Sequence, residues 1–265
     1  MAGPDPVRSP ALRALSEQVN AQAREAIRAR LEPGCVSRGP DGRHPLNAAW
    51  SFTPVGLNSM RIDAPELMIA DLPQTAGLSV QAQLVKGLRI NGVEVNLAGA
   101  PDDCGFDISY RRIPVARLLR RGGNRFEVRT DESGPLKFLP ALILWGDFAV
   151  DTQGRLVKRQ EALPLGPWSE HGYPQFCGSG RYQATVEWSA RPSALILETG
   201  GYPVSVTVDG RKIGRRAWPP FRFALDEVEP AGPHTVTVEV SGTLGHLFTP
   251  GEAPPVGLLA AWVEP

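Results

Sequence analysis

The sequence predicts an all-β chain of two tandem antiparallel jelly-roll β-sandwiches preceded by a short N-terminal helix. The first observation is a unit that occurs twice. It runs from Leu88 to Val95 across Asn91-Gly92 and resumes at Gly123–Val128; it returns from Val204 to Ile213 across Asp209-Gly210 and resumes at Gly232–Val238. Asn-Gly and Asp-Gly between β-rich runs signal hairpins, because a type I′ turn needs positive φ at both central residues and these pairs tolerate it. The second observation is parity. Tyr182, Ala184, Val186 and Trp188 alternate with Gln183, Thr185 and Glu187, as in a strand with one buried face. The third is punctuation by turn residues: Gly 28 and Pro 26 accompany a hydrophobic fraction of 42%, too apolar for a disordered Pro/Gly polymer.

In chain order, residues 1–49 read as helix and linker. Leu12, Leu15, Val19, Ala23 and Ile27 recur at helical spacing until Pro33-Gly34 stops the pattern, and 35–45 is rich in turn formers. The first sandwich is assigned to 50–150, with strands near 50–53, 59–62, 67–69, 78–84, the Asn91-Gly92 hairpin, 106–110, 126–129 and 137–144. Arg117-Leu118-Leu119-Arg120-Arg121 reads as a short turn of helix before Gly122-Gly123. The second sandwich is assigned to 151–265, with strands near 182–188, 194–198, the Asp209-Gly210 hairpin, 221–224, 235–240 and 258–263.

Lys+Arg 28 balances Asp+Glu 28, so no global field draws in nucleic acid or an anionic membrane. No apolar run approaches the ~20 residues of a membrane span, and the N-terminus lacks the basic and apolar regions of a signal peptide. The expectation is a soluble chain with neither partner. Cys35, Cys104 and Cys177 form no disulfide framework or metal knuckle.

The segments 141–150 (Ala-Leu-Ile-Leu-Trp-Gly-Asp-Phe-Ala-Val), Leu165-Gly166-Pro167-Trp168 and Gly172-Tyr173-Pro174-Gln175-Phe176-Cys177-Gly178 add a further signal, as do Ala217-Trp218-Pro219-Pro220-Phe221 and Thr243-Leu244-Gly245-His246-Leu247. With these motifs the chain resembles the C-terminal galactose-binding-like β-sandwich modules of large bacterial glycoside hydrolases of the α-L-rhamnosidase-like type, which are related to the sugar-binding domain of β-galactosidase-type enzymes. The resemblance covers roughly Trp50 to the C-terminus. It implies an accessory region whose hydrolytic centre belongs to a separate (β/α)8 barrel of ~250 residues, for which this chain has no room. A catalytic domain encoded upstream of Met1 is then the expected partner, and carbohydrate the expected ligand.

A sugar site needs aromatic faces for the C–H face of a pyranose and a few polar groups for its hydroxyls. Trp168, Tyr173 and Phe176, interleaved with Glu170, His171, Gln175 and Arg181, supply that chemistry. The same residues also suit packing at the entry to the second sandwich. Trp218, beside Arg215, Arg216 and Pro219-Pro220, is the other candidate, with an aromatic plug on the sandwich edge as its structural reading. Asp147, Asp151, Glu161, Glu170, Asp226 and Glu227 are carboxylates available by count, but no spacing singles out the pair a glycosidase needs. His44, His171, His234 and His246 lack zinc spacing, and Asp102, Asp103 and Asp107 suit an acidic turn better than a structural calcium, so no cofactor is expected. The chain alone is read as non-catalytic. A hydrolase with its site between the sandwiches, and a protein-interaction module, are the alternatives.

Overall fold

The computed structural model describes residues 43–46, 48–103, 107–131, 140–160, 162–188, 192–229, 231–249, 251 and 253–264. The predicted helix at 10–31 lies outside them, as do Cys35, Cys104 and Glu161. The described chain is all-β. Its strands are β1 (His44–Pro45), β2 (Ser51–Val55), β3 (Asn58–Arg61), β4 (Glu66–Ile69), β5 (Ala76–Gln81), β6 (Val85–Ile90), β7 (Val93–Glu94), β8 (Asp102–Asp103), β9 (Asp107–Pro114) and β10 (Gly122–Thr130). They continue with β11 (Leu142–Gly146), β12 (Phe148–Val150), β13 (Leu156–Lys158), β14 (Ser179–Trp188), β15 (Ala194–Glu198), β16 (Val204–Val208), β17 (Arg211–Arg216), β18 (Arg222–Ala224), β19 (Gly232–Ser241) and β20 (Ala260–Glu264). A single turn of α-helix, α1 (Gly245–Phe248), precedes β20.

Both hairpins form as the turn chemistry requires. Asn91 and Gly92 have φ of 53° and 81°, and Asp209 and Gly210 have 51° and 78°. The second is pinned further: an Asp209 carboxylate oxygen accepts from Thr235 N at 2.7 Å, and another lies 2.7 Å from His234 Nδ1. The bond with His234 holds the Asp209 carboxyl below its ordinary 3.8. The basic segment before Gly122 closes as a 3-10 turn at Ala116–Leu118.

The first unit stacks a six-stranded sheet, β12-β13-β4-β10-β6-β7, on a five-stranded sheet, β3-β11-β5-β9-β8. All its pairings are antiparallel except β13 with β4. Leu67, Ile69, Leu88, Ile90 and Phe126 of one sheet meet Leu78, Val80, Ile113, Leu142 and Leu144 of the other in a common core. The second unit stacks β17-β16-β19-β14-β2 on β1-β20-β15-β18. There Tyr182, Ala184, Val186 and Trp188 face Leu195, Leu197, Phe223 and Ala261.

Two boundaries differ from the sequence expectation. Trp50–Thr53 was assigned to the first sandwich, yet β2 pairs with β14, with Phe52 opposite Tyr182, and Trp50 and Phe52 enter the second core. β1 likewise pairs with β20. Conversely β13 lies beyond residue 150 but pairs with β12 and β4 of the first unit. The units are therefore interlaced: the described chain starts in the second, builds the first, and returns. A two-stranded preview of the second sandwich fits any local pattern, and only the distant β14 and β20 edges select it.

The outer face of β5, β9 and β11 is covered by the second unit. Tyr110, Ile143 and Leu247 form a small buried cluster with Cys177 against it. Arg61 donates to the carbonyl of Phe248 at 3.0 Å, Gln175 Oε1 accepts from Arg61 N at 2.6 Å, and the Ser59 hydroxyl donates to the Gln175 carbonyl at 3.0 Å. Next to Leu247, His246 is 8% exposed and its Nε2 has no hydrogen-bond partner among the described residues. Burial holds its imidazole below the ordinary 6.5, and does the same to His171. A depressed histidine contributes stability that is complete above its unfolded value and is lost as pH falls through 6.5 toward the folded one. The urea midpoint should fall between pH 7.5 and pH 5, well above the carboxylate range, and His246→Leu should flatten that slope. An unchanged slope in the variant would remove His246 from the account.

Candidate functional site

The sequence brings Trp168, Tyr173, Phe176, Arg181 and Trp218 forward as sugar-contacting residues, and the structure sorts them into three places. Trp168, Tyr173 and Phe176 are 0%, 1% and 1% exposed. They form one aromatic cluster with Phe52 and Tyr182, ring centroids 5.1–6.2 Å apart. Trp168 Nε1 donates to the Tyr182 hydroxyl at 2.8 Å, and burial pushes that phenol up to about 12. No face of these rings is open to a pyranose, which corrects the sugar-contact expectation for all three. Their chemistry is that of a core plug: the loop between β13 and β14 turns inward because large aromatics gain most by burial.

Arg181 sits on the opposite side of β14. Strand parity directs it, with Gln183 and Thr185, to the outer face of the five-stranded sheet, where it pairs with Glu239 at 3.0 Å. It shares no surface with the aromatic cluster.

Trp218 is 75% exposed on the connection from β17 to β18, within a run of exposed residues from Arg215 to Pro220. A free-standing indole of this exposure does not plug an edge; it presents its faces to solvent. The connection is held at both ends. Before it, Arg216 donates to the Arg222 carbonyl at 2.8 Å and lies 5.7 Å from the Phe223 ring centroid. After it, Phe221 is buried.

Beside this corner lies the outer face of the four-stranded sheet. Leu195, Leu197 and Ala261 face the core, so alternation turns Ile196, Trp262 and Arg222 to the other face, where Ile196 is buried, Trp262 half-buried and Arg222 exposed. Register places Pro45, Trp262, Ile196 and Arg222 in one row across β1, β20, β15 and β18. With strands about 4.8 Å apart the row spans roughly 14 Å. Along the same face Glu264 receives Arg222 at 2.8 Å and Arg43 at 3.3 Å. The Arg222 hydrogen bond, with Arg43 assisting, holds the Glu264 carboxyl below its ordinary 4.5. The arrangement is a half-buried indole on the sheet face, the exposed indole of Trp218 on the β17–β18 connection, and a fixed Arg–Glu–Arg group able to read hydroxyls. Trp262, Arg222, Glu264 and Arg43 were not singled out from the sequence. The parity of Ala260-Ala261-Trp262-Val263-Glu264, with Ala261 and Val263 as the inward pair, was the available signal.

Several of the carboxylates named from the sequence have structural partners. Asp147 accepts from Thr75 N at 2.7 Å, Asp151 binds Arg155 at 2.7 Å and the backbone of its own turn, and Glu227 pairs with Arg211. Asp103 is buried and accepts the Ser79 hydroxyl, Asp102 pairs with Arg111, and Asp107 accepts from Ser109 N. Among the described residues no three His, Cys, Asp or Glu side chains gather as a metal site, and no helix is long and apolar enough to cross a membrane. Two shallow concavities of about 320 and 340 Å³ adjoin at Gly87, lined by Lys86, Arg89, Glu94, Asn96, Glu127 and Arg129 with no aromatic side chain among the lining residues.

No protein-family model and no curated protein matches the chain. Among solved structures it is similar to a GH2 β-galacturonidase from Eisenbergiella tayi bound to galacturonate, with 25% identity and a TM-score of 0.31 over 44% of this chain and 22% of that one. It is similar to an α-L-rhamnosidase from Streptomyces avermitilis complexed with L-rhamnose, with 13% identity and a TM-score of 0.31 over 87% of this chain and 27% of that one. A lectin from Pleurotus ostreatus in complex with GalNAc shows 13% identity and a TM-score of 0.27 over 85% of this chain and 76% of that one. Glycoside hydrolases thus stand among its structural neighbours, and the chain spans about a quarter of the length of the two glycosidases.

Proposed function

We propose that this chain is a non-catalytic, galactose-binding-like jelly-roll region of a glycoside hydrolase, which braces a catalytic domain and contacts carbohydrate through the surface formed by Trp218, Trp262 and Arg222. One observation carries the sugar-binding half: an indole 75% exposed on a connection anchored at both ends. An exposed tryptophan forfeits the ~1.5–3 kcal/mol of a buried large apolar side chain, and a pyranose stacked on it recovers part of that area. Trp262 and the Arg43–Glu264–Arg222 group supply the second aromatic and the charged hydrogen-bonding partners.

The bracing half is supported by the junction of the units. Tyr110, Ile143 and Leu247 bury one sheet of the first unit beneath the second, and Arg61 is gripped by Gln175 and Phe248. Two interlaced sandwiches joined in this way suit a rigid spacer.

The test is a glycan array with the intact chain and two variants. Trp218→Ala should reduce binding of the retained glycan by about tenfold, the order expected for one lost stacking contact worth ~1–1.5 kcal/mol, and leave the thermal midpoint within about 1 °C. Trp262→Ala should weaken it by a similar factor. Glycan retention that survives both substitutions would place the site elsewhere; turnover of an aryl glycoside by the isolated chain would overturn the non-catalytic assignment.

A further inference from the structure

The β17 edge and the corner loop concentrate positive charge on a chain whose total is balanced. Arg211, Lys212, Arg215 and Arg216 lie on β17, all exposed, and Arg222 and Arg43 flank the adjoining sheet face. The carboxylates paired with them are Glu227, on Arg211, and Glu264, shared between Arg222 and Arg43. Arg216 gives its Nε to a backbone carbonyl. Lys212 and Arg215 have no hydrogen-bond or ion-pair partner among the described residues. Glu239, the nearest acid along the Arg215 row of the sheet, is held by Arg181. The cations therefore outnumber the carboxylates that answer them, and two of them, Lys212 and Arg215, are exposed on the strand that leads to Trp218.

We propose that the ligand of this surface is an acidic polysaccharide, a linear glycan bearing uronate carboxylates, which lies along β17 with one sugar on Trp218 and its carboxylates against Arg215 and Lys212. This rests on the carbohydrate-binding reading above and names the class of glycan. Among the described residues β17 is the edge strand of its sheet, so a linear chain can run along its length. The bulge in β17 opposite Val206 and Thr207 brings Lys212 and Arg215, three residues apart, to the same outward face, paired with Thr207 and Ser205 and so about 7 Å apart along the sheet. A ligand that answers both charges must repeat its own along its length. The planar guanidinium of Arg215 matches a carboxylate in a bidentate fork, while the indole takes the apolar sugar face that a bare polyanion lacks.

The experiment titrates the full chain with polygalacturonate and with its fully methyl-esterified, neutral counterpart, at low and high salt. The acid form should bind about tenfold tighter at low salt, the worth of one charge-assisted hydrogen bond, and that advantage should shrink as salt rises. Lys212→Gln with Arg215→Gln should remove the advantage and leave binding of the neutral form unchanged; far-ultraviolet circular dichroism confirms that the variant is folded. Equal affinity for both forms overturns the acidic class and leaves carbohydrate binding standing. Binding of neither, by a folded chain, overturns the carbohydrate reading itself. Tighter binding of single-stranded oligothymidylate than of polygalacturonate would assign the same cations to phosphodiesters and overturn the proposal.

Discussion

Trp168→Ala should destabilise the second unit by about 3–5 kcal/mol, the range for deleting a buried large aromatic. The indole is fully buried and touches Phe52 and Phe176 at centroid distances of 6.2 and 5.2 Å. Glycines line its slot. A Cβ on Gly180 would stand 2.5 Å from the ring and one on Gly242 3.0 Å from it, so the backbone on two sides is already at contact. Strands held this closely have little freedom to collapse into the space left by truncation, which puts the cost toward the upper end. The substitution also takes the indole N–H away from the Tyr182 hydroxyl, leaving it the backbone hydrogen bond with Leu258. Urea unfolding followed at β14 and β19 reads the effect, and Trp168→Phe should cost less because most of the volume remains. A Trp168→Ala protein with an unshifted midpoint and lost glycan binding would restore this residue to the ligand site. The contrast with Trp218→Ala separates the two roles: one tryptophan is paid for in stability, the other in affinity.

Phe52→Ala carries the second large effect, about 3–5 kcal/mol on the same scale, and its location in the molecule is the informative part. Phe52 is 1% exposed and lies 5.1 Å from Tyr182 and 5.4 Å from Tyr173. Its strand is separated from β14 by the whole first unit, yet it forms the edge of the β14 sheet. Hydrogen exchange should show protection lost in β14 and β19 while β5 and β11 keep theirs, since those strands belong to a separate core. Loss confined to β5 and β11 would mean that β2 serves the first unit, as its position in the chain suggests.

Much of the local structure was legible in the residues. The Asn91-Gly92 and Asp209-Gly210 turns announced both hairpins, and the parity of 182–188 announced β14, because turn sterics and face alternation act over two to four residues. The sugar site was legible only in part. Trp168 and Trp218 stand in similar company, each near proline, glycine and charged residues, and composition assigns them the same chemistry. One is sealed under β2 and β14, and the other stands in solvent. Trp262, lying in the last strand, reads locally as core, and only the pairing of β20 with β15 and β1 shows which side is inward.

By itself the sequence determined the all-β class, the hairpin turns and the inward face of the long strand, since each follows from φ preferences and side-chain parity within a few neighbours. The tertiary structure alone decided that β1 and β2 belong to the second sandwich, that the 168–176 aromatics are core, and that Trp262 and the Arg–Glu–Arg group share one face of the four-stranded sheet. The physical reason is common to all three: burial and company are set by partners up to about 220 positions away, as between Arg43 and Glu264, and hydrophobic association is non-directional, so no local pattern names the surface against which a side chain will close.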